Sequence, residues 1–475
     1  MADLLPAPVG LSLVAADDLR VAEDGCVLVG GSPPRLLRLS TAGAERVTRW
    51  FAGEPVGEGV GERRLARRLL DTGMAHPRPA GPVEGAVAVV TPVRDERDVA
   101  RVAARIAEGR TAIVVDDGSA EPVASCPGVD VVRRSVSGGP GVARNDGLRR
   151  AAESGAAFVA FIDADVDPPP RWIDDLLVHF DDPAVAAVAP RVRPAVGTSN
   201  LERYEMTFPS LDLGAVPAAV RPGSAVAYVP SAALLVRVSA FEQVGGFDAT
   251  LRFGEDVDLT WRLIDAGHTV RYEPAVEVRH RARSDWGAWL RQRRDYGSSA
   301  APLAARHGDA VAPARAPLGV YGALAAALLA PLPAAGAVAA SEVVAAQRRV
   351  QASLGAHHDP VLVRGGLVAA VRSCVAALLR AGLPLTALLL LGTRRSRRRT
   401  LAILTAGAVA EVAESPRALG WVRAVALRLL DHSAYGWGVW TGLRSTGLTG
   451  LDAVRPVLSH RGVRAESTAT DTVAP

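Results

Sequence analysis

Short apolar runs that end at polar or acidic residues, separated by helix-like segments, are the feature that most restricts the fold of this chain. The runs are Ala86–Val90, Thr111–Val115 and Ala157–Ile162, with helical periodicity between them at Asp98–Glu108 and Gly141–Glu153. Continuous apolar strands separated by helices are typical of a parallel sheet covered by helices on both faces. The sequence therefore predicts an α/β fold, in which ligands bind at the carboxyl ends of the strands.

The chain is predicted to divide into four regions, and its hydrophobic content of 49% is ample for several cores. They are a small N-terminal domain at 1–80, the α/β domain at 85–315, a helical region at 316–460 and a disordered tail at 461–475. The Pro- and Gly-rich stretch His76–Pro82 is predicted to link the first two.

The N-terminal domain is expected to contain two strands followed by two short helices. Val21–Val29 and Leu36–Leu39 have the composition of strands, and Ser40 is a good cap for a helix at Thr41–Phe51. A second helix is expected at Glu62–Asp71. This order of elements predicts a winged-helix-like module.

The predicted helical region contains apolar stretches of the length that membranes require. Leu318–Ser341 carries no charge over about 24 residues, and a helix needs roughly 20 apolar residues to cross a bilayer. A second apolar segment, 381–410, is interrupted by the arginine-rich cluster 394–399. Basic clusters beside apolar helices are typical of contact with anionic lipids. A helical domain packed on the α/β domain, with a solvated arginine loop, explains the same pattern, and both interpretations stay open.

Composition excludes one class of function and favours a reducing compartment. The net charge of +4 does not indicate a surface for nucleic acids. Cys26, Cys126 and Cys374 are scattered without the spacing of metal ligands, and no basic-then-apolar signal opens the chain. We therefore expect a cytoplasmic protein, with the inner face of the cell membrane as a candidate partner surface.

Acidic clusters follow the strands of the α/β domain. The first lies at Asp95-Glu96 and the second at Asp116-Asp117, which ends a strand. A carboxylate just beyond a strand can accept a hydrogen bond from an imide N–H, although Asp followed by Gly-Ser also favours a simple turn. The Gly-rich segment Ser137–Gly147 opens a helix and contains Arg144, so it is either an anion-binding loop or a plain helix start.

Two further acidic clusters each have a functional and a structural interpretation. The functional interpretations are a metal site for one cluster and a general base for the other. Asp163-Ala164-Asp165 ends an apolar strand, and a hard divalent ion takes one or two such carboxylates while phosphate oxygens and waters fill its other positions. Glu255-Asp256 is predicted to start a helix, where carboxylates are stabilised by the helix dipole; the alternative is a general base. His280 follows a strand and is either a metal ligand or a structural residue.

The ordered series of clusters resembles that of the family 2 inverting glycosyltransferases, which have the GT-A fold. The resemblance implies that a nucleotide-sugar donor, a UDP-sugar, is bound by Pro92, Glu96, Asp116, Asp117, Arg144, Asp163 and Arg293. It implies a divalent metal, Mg²⁺ or Mn²⁺, on Asp163, Asp165 and His280, and Asp256 as the base with Glu255 orienting the acceptor or the base. The family's Gln-X-X-Arg-Trp motif is replaced here by Gln292-Arg293-Arg294-Asp295-Tyr296.

Within this family the chain resembles the glycosyltransferases of the mycofactocin system over nearly its whole length. The resemblance is carried by the leading domain, by Arg293-Arg294-Asp295-Tyr296-Gly297 and by Asp431-His432-Ser433-Ala434-Tyr435. It implies β-1,4 transfer of glucose from UDP-glucose to premycofactocin, or to another small peptide-derived acceptor. The rival hypotheses are a family 2 transferase of cell-envelope polysaccharide or lipid, such as a rhamnosyltransferase, and a non-catalytic binding protein with a degenerate transferase fold.

Overall fold

The computed structural model describes residues 5–22, 25–79, 81, 83–96, 99–281, 285–354, 360–414, 419–458 and 464–466. The chain is organised as two units. The first comprises 1–195, 211–281 and 466–475, so it holds both the predicted N-terminal domain and most of the α/β domain. The second comprises 196–210 and 282–465.

The first 80 residues form a small module of strands and two helices. Its elements are β1 (Ser12–Ala15), β2 (Arg20–Ala22), β3 (Val27–Gly30), β4 (Arg35–Arg38), α1 (Thr41–Phe51), α2 (Val60–Thr72) and β5 (Ala75–Arg78). Strands β2, β3 and β4 pair antiparallel in series, and Ser40 caps α1 as expected. The predicted linker His76–Pro82 is wrong at its start, because β5 pairs antiparallel with β1. A two-stranded ladder tolerates Pro77, which has no N–H to donate.

Two ion pairs join this module to the α/β part of the same unit. The Arg67 Nη2 atom donates to both carboxylate oxygens of Asp182 at 2.7 Å, and both residues are buried. Asp71, one turn further along α2, lies 3.3 Å from the guanidinium of Arg221. Burial raises the pKa of Asp71, and Arg221 and Arg67 oppose that rise. The module is therefore attached through one ion pair that is buried on both sides, Arg67–Asp182, and through a second pair whose arginine, Arg221, is partly exposed.

A mixed sheet forms the centre of the first unit. Its strands are β6 (Val87–Val93), β7 (Thr111–Asp116), β8 (Val129–Arg133), β9 (Phe158–Ile162), β10 (Val166–Asp167), β11 (Val185–Pro194), β12 (Ala218–Ala219), β13 (Ala233–Arg237) and β14 (Thr269–His280). Their order is β10-β14-β11-β13-β9-β6-β7-β8, with β12 also on β14. The α/β expectation is confirmed, but the sheet is not wholly parallel, because β13 runs antiparallel between β9 and β11.

Helices cover this sheet on both faces, as predicted. The helices between its strands are α3 (Val99–Ile106), α4 (Pro140–Glu153), α5 (Trp172–Leu177), α6 (Asn200–Thr207, in the second unit), α7 (Val238–Gln243) and α8 (Glu255–Asp265), with a 3₁₀ turn at Val178–Asp181. Alternate residues of a strand face opposite sides. Accordingly, Val90 packs in a core with Leu259 of α8, whereas its neighbour Val89 packs in a separate core with Trp172 of α5.

Helix α4 lies unusually close to the sheet because of Gly147. A Cβ atom at this position would lie 2.2 Å from Cγ1 of Val90 on β6, so no side chain fits without moving the helix. The close approach fixes the start of α4, which follows the Gly-rich segment, beside the carboxyl ends of β6 and β7.

The second unit is mainly helical. Its elements are α9 (Trp286–Ser298), α10 (Ala300–His307), β15 (Arg315–Ala316), α11 (Leu318–Leu329), α12 (Leu332–Leu354), α13 (Pro360–Leu379), α14 (Leu383–Leu391), α15 (Arg394–Ala413), α16 (Trp421–Thr446) and β16 (Val457–Leu458), with 3₁₀ turns at Gly308–Val311 and Gly447–Ala453. Strand β17 (Arg464–Glu466) falls in the predicted tail, most of which lies outside the described residues.

The apolar stretches of this unit are broken into shorter helices. The uncharged run 318–341 divides at Pro331 into α11 and α12, and the arginine cluster 394–399 forms the first turns of α15 instead of a loop. Among the described helices, none alone is long and apolar enough to cross a membrane. Arg364–Leu379 and Leu383–Leu391 meet that criterion only as a pair, and they are bent by 76°.

Candidate active site

Asp116 lies at the carboxyl end of β7 with no exposed surface and is fully engaged by protein donors. The backbone N–H of Ser119 donates to Oδ1 at 2.9 Å, while Val123 N and Arg133 Nη1 donate to Oδ2 at 3.2 and 2.6 Å. Burial acts to raise the pKa of Asp116, but the hydrogen bonds from Ser119 and Val123 and the charge of Arg133 hold it below the usual value. The carboxylate is ionised and shapes the turn that follows β7.

Asp117 holds the Gly-rich segment in place. Its Oδ1 accepts from the N–H of Gly138, and its Oδ2 accepts from the N–H of Gly139 and the hydroxyl of Ser137, all at 2.7–2.8 Å. This carboxylate therefore fixes the loop that leads into α4. The guanidinium Nε of Arg134 also lies 3.0 Å from its Oδ1.

The segment after β6 joins the same edge of the sheet. Pro92 on β6 is paired with Val115 on β7, which brings the following loop beside Ser119. Asp95 contacts that turn directly, since its N–H donates to the Ser119 hydroxyl at 2.8 Å and its Oδ1 accepts from Ala120 N at 2.9 Å. Glu96, the residue predicted from the sequence, is exposed. Sequence reasoning therefore overlooked Asp95, although it belongs to the same acidic cluster.

Arg144 on α4 connects the acidic cluster predicted to bind a metal, Asp163–Asp165, with the cluster predicted to provide the general base, Glu255-Asp256. Its Nη2 donates to Oδ1 of Asp163 at 2.6 Å, and its Nη1 donates to Oε1 of Glu255 at 3.2 Å. The guanidinium is buried, and its carbon lies 5.6 Å from the ring centre of Phe247. Clusters separated by about ninety residues of sequence thus share one buried cation.

Asn145, the next residue of α4, clamps the loop before α8. Its amide nitrogen donates to the carbonyl of Phe247 at 2.7 Å, and its amide oxygen accepts from the N–H of the same residue at 2.9 Å. Gly246 lies under this clamp at a φ of +72°. Asn145 was not predicted as a site residue. A polar amide side chain among the small residues Ala143 and Gly147 of a helix was nevertheless a signal that this side chain contacts a polar partner.

Asp163 and Asp165 follow β9, and the sheet register brings His280 to them. Val166 on β10 pairs with His280 on β14, which leaves the His280 Nε2 atom 3.4 Å from Oδ2 of Asp165. The Asp165 carboxylate is 37% exposed and Asp163 is 29% exposed. The structure thus places His280 beside Asp165, whereas Asp163 is turned toward Arg144.

These residues fit a divalent ion that takes few protein ligands. Within the described residues no three His, Cys, Asp or Glu side chains are grouped tightly enough to enclose an ion. A hard cation in a phosphate site commonly needs only one or two carboxylates. Asp165 with His280 provides such an open set, partly exposed to a ligand.

Glu255 and Asp256 open α8, behind Gly254, whose φ is +77°. Burial and the charge of Asp256 raise the pKa of Glu255 to about 7, although Arg144 opposes the rise. Burial also raises the pKa of Asp256, while its hydrogen bond from Val257 N, 2.8 Å long, acts in the other direction. A carboxylate pair whose pKa values are both raised is suited to accept a proton.

Arg293, predicted to bind the nucleotide sugar, belongs to the second unit. It lies on α9 in the second unit, buried, with its guanidinium hydrogen-bonded to Glu205 and its Nε 3.0 Å from Oδ1 of Asp431. Trp289 also donates to Glu205, at 2.7 Å. These contacts are those of a residue that stabilises the helical unit.

The chain belongs to the family 2 glycosyltransferases. A model of the family described as "Glycosyl transferase family group 2" matches residues 158–410, just over half of the chain. The predicted family and the predicted enzyme class are thereby confirmed, and the non-catalytic alternative loses its support.

Known proteins of this kind match over different lengths. A protein named "Pre-mycofactocin glycosyltransferase", from two strains of Mycobacterium tuberculosis, is 40% identical over 459 residues, covering 92% of this chain and 96% of its own. An "N-acetylglucosaminyl-diphospho-decaprenol L-rhamnosyltransferase" of that species is 33% identical over 139 residues, covering 25% of this chain and 41% of its own.

Among solved structures, a mannosyltransferase from Pyrobaculum calidifontis in complex with GDP-Man and Mn²⁺ is similar at 18% identity. The match covers 73% of this chain and 92% of that one, with a TM-score of 0.36.

Proposed function

We propose that the protein transfers glucose from UDP-glucose to premycofactocin, in β-1,4 linkage. The observation that carries the transfer chemistry is Arg144, which holds the strand-end Asp163 and the helix-start Glu255 in one buried cluster. The acceptor is proposed from the relative that is 40% identical over 92% of the chain and bears the name pre-mycofactocin glycosyltransferase.

In the proposed reaction Asp256 removes the proton from the attacking acceptor hydroxyl. The acceptor oxygen forms a bond to the anomeric carbon while the bond from that carbon to the diphosphate breaks on the opposite face, so the configuration inverts and UDP leaves. The raised pKa of Asp256 makes it a stronger base than an ordinary aspartate. Glu255, fixed by Arg144, orients the acceptor and shares the proton.

We further propose that Asp165 and His280 hold the divalent ion, Mg²⁺ or Mn²⁺, with Asp163 beside it. When bound, such an ion acts as a Lewis acid that offsets negative charge on the departing diphosphate. The loop after β6, which contains Asp95, and the turn that follows Asp116 form the proposed wall for the nucleotide, because their hydrogen bonds fix this edge of the sheet.

The peptide-derived part of the acceptor is proposed to contact the N-terminal module. In the described part of its sheet β2 is the last strand, and an outer strand can pair with an extended peptide. Hydrogen–deuterium exchange tests this directly: β2 should exchange more slowly with premycofactocin than without it. Equal exchange at saturating acceptor would remove the module from acceptor recognition.

We place the reaction in the cytoplasm. Cys26, Cys126 and Cys374, all three within the described ranges, are free thiols, as expected in a reducing compartment.

The deciding experiment incubates full-length protein with premycofactocin, Mn²⁺ and one donor at a time. We expect UDP-glucose alone to give products heavier by one or more hexoses, detected by mass spectrometry, with matching release of UDP. A parallel reaction with dTDP-rhamnose and a polyprenyl-diphosphate sugar tests the alternative raised by the rhamnosyltransferase match. Transfer only in that second reaction would replace the proposed acceptor and donor.

A further inference from the structure

We propose that a face of the second unit binds the surface of an anionic lipid bilayer, with its helices lying along the membrane instead of crossing it. This Arg–Leu face is defined by Leu332, Leu388 and Leu391 together with Arg394, Arg395 and Arg398. The inference does not depend on which sugar or acceptor the enzyme uses.

The apolar part of the face is exposed on α14 and at the start of α12. Leu388 and Leu391 of α14 are 69% and 81% exposed, and among the nine residues of this helix only Thr386 is buried. Leu332 at the start of α12 is 74% exposed. Single exposed leucines are ordinary, but adjoining ones beside a cationic rim indicate an interaction surface.

The cationic part lies directly against the apolar part. Arg394, Arg395, Arg398 and Arg399 line, with Pro331–Pro333, a cavity of about 700 Å³. The Arg395 Nη2 atom donates to the carbonyl of Ala330 at 3.2 Å, which ties the start of α15 to the end of α11. One surface therefore presents both leucines and guanidinium groups.

The arrangement of these arginines calls for an anionic partner. They occupy the first turns of α15, where the helix dipole disfavours cations and no acidic residue compensates. Within the described part of the chain, no carboxylate forms an ion pair with Arg394, Arg395 or Arg398. Guanidinium groups bind phosphate oxygens in a bidentate manner.

A bilayer satisfies both parts of the face at once. A soluble phosphate would neutralise the arginines but leave the leucines in water. An anionic membrane accepts leucines at the depth of its acyl boundary while its headgroups meet the cations. We therefore assign the face to a bilayer containing anionic phospholipids.

The packing of α13 argues for binding along the surface. Its last turns bury Cys374, Val375, Leu378 and Leu379 in protein cores shared with α11 and α15. Helix α14 then turns away by 76°. Because protein already covers the apolar residues of these last turns, we assign the lipid contact at this bend to α14.

The test measures flotation of the full-length protein with vesicles of phosphatidylglycerol and phosphatidylcholine, or of phosphatidylcholine alone. We expect binding only to the first, weakened by salt. Arg394→Gln with Arg398→Gln should lower partitioning about thirtyfold, since each cation near an anionic surface contributes about fivefold. Leu388→Glu with Leu391→Glu should abolish it.

Matched controls are Arg444→Gln and Leu448→Glu, which alter exposed residues of the same unit outside the face. Both should bind vesicles like the wild type, and all variants should retain the wild-type melting temperature and UDP affinity. Because the two test variants change different exposed positions, a folding defect in one leaves the other decisive.

Several outcomes would overturn the proposal. They are absence of binding to anionic vesicles, equal binding to phosphatidylcholine alone, undiminished binding of both test variants, and equal losses in the controls. Capture by an RNA homopolymer without vesicle binding would assign the arginines to another partner. Resistance of membrane-bound protein to alkaline carbonate would indicate insertion across the bilayer instead of binding along it.

Discussion

Replacing Arg144 by glutamine should move the acid limb of the pH–rate profile to higher pH. Arg144 stabilises the ionised form of Glu255, whose pKa is about 7 with the guanidinium in place. Losing the cation therefore raises that pKa further. Because the proposed reaction needs the ionised pair Glu255 and Asp256, activity at neutral pH should fall and then recover as the pH rises.

The size of the shift follows from the contact distance. At the 3.2 Å between Arg144 Nη1 and Glu255 Oε1, opposite charges attract by about 5 kcal/mol at an effective dielectric constant of about 20. Desolvation of the pair offsets much of this, and hydrogen bonds to charged groups contribute about 1.5–3 kcal/mol net. That corresponds to about one to two pKa units. The limb should thus move from near pH 7 to between about 8 and 9.

The assay is UDP release measured as kcat/KM across the neutral and alkaline range. The carboxylates titrate as a pair, so the profile reports their joint behaviour. Arg149→Gln is the matched control, since Arg149 lies on the same helix with its side chain exposed. Arg144→Lys should retain the wild-type limb at a reduced rate. An unchanged limb in folded Arg144→Gln, or an equal shift in Arg149→Gln, would refute the electrostatic role.

Three further substitutions test other parts of the structure. Asp165→Asn should lose metal-dependent transfer, a cost of several kcal/mol in the transition state; full activity in this variant or in EDTA would contradict the metal assignment. Asp256→Asn should slow turnover about a hundred- to ten-thousand-fold with UDP-sugar affinity retained by calorimetry, whereas lost affinity at normal rate would remove it as the base. Arg67→Gln should destabilise the protein by about 3–5 kcal/mol in denaturant unfolding, and the exposed Arg64→Gln should not; similar stabilities of the two variants would show that the buried pair contributes little.

The apolar runs in the sequence correctly predicted the strands whose ends carry the candidate site. Strand β7 ends at Asp116 and β9 ends just before Asp163, as their apolar runs indicated. The antiparallel β13 was not foreseen, because an apolar run of five residues has the same appearance in either direction. Strand β5 was missed since Pro77 signals a break, while its pairing with β1 depends on residues 60 to 66 positions away.

Side-chain partners were harder to predict than elements. Arg144 was expected at the nucleotide, but its two carboxylate partners lie 19 and 111 residues away and only the folded chain brings them together. Arg293 could not be distinguished from a ligand-binding arginine, because the carboxylates of Glu205 and Asp431 that hold it come from two other helices. Charge type is visible in a sequence, whereas burial and pairing are not.

The ion pairs of the N-terminal module constrain how this protein can be recombined. Deleting the first 80 residues would strip Asp182 of Arg67 and expose an interior carboxylate, so a shortened chain is a poor vehicle for studying the transferase alone. A chimera that takes this module from a relative must carry over matching partners at positions 182 and 221. The module and positions 182 and 221 of the α/β part should therefore change together as sequences diverge.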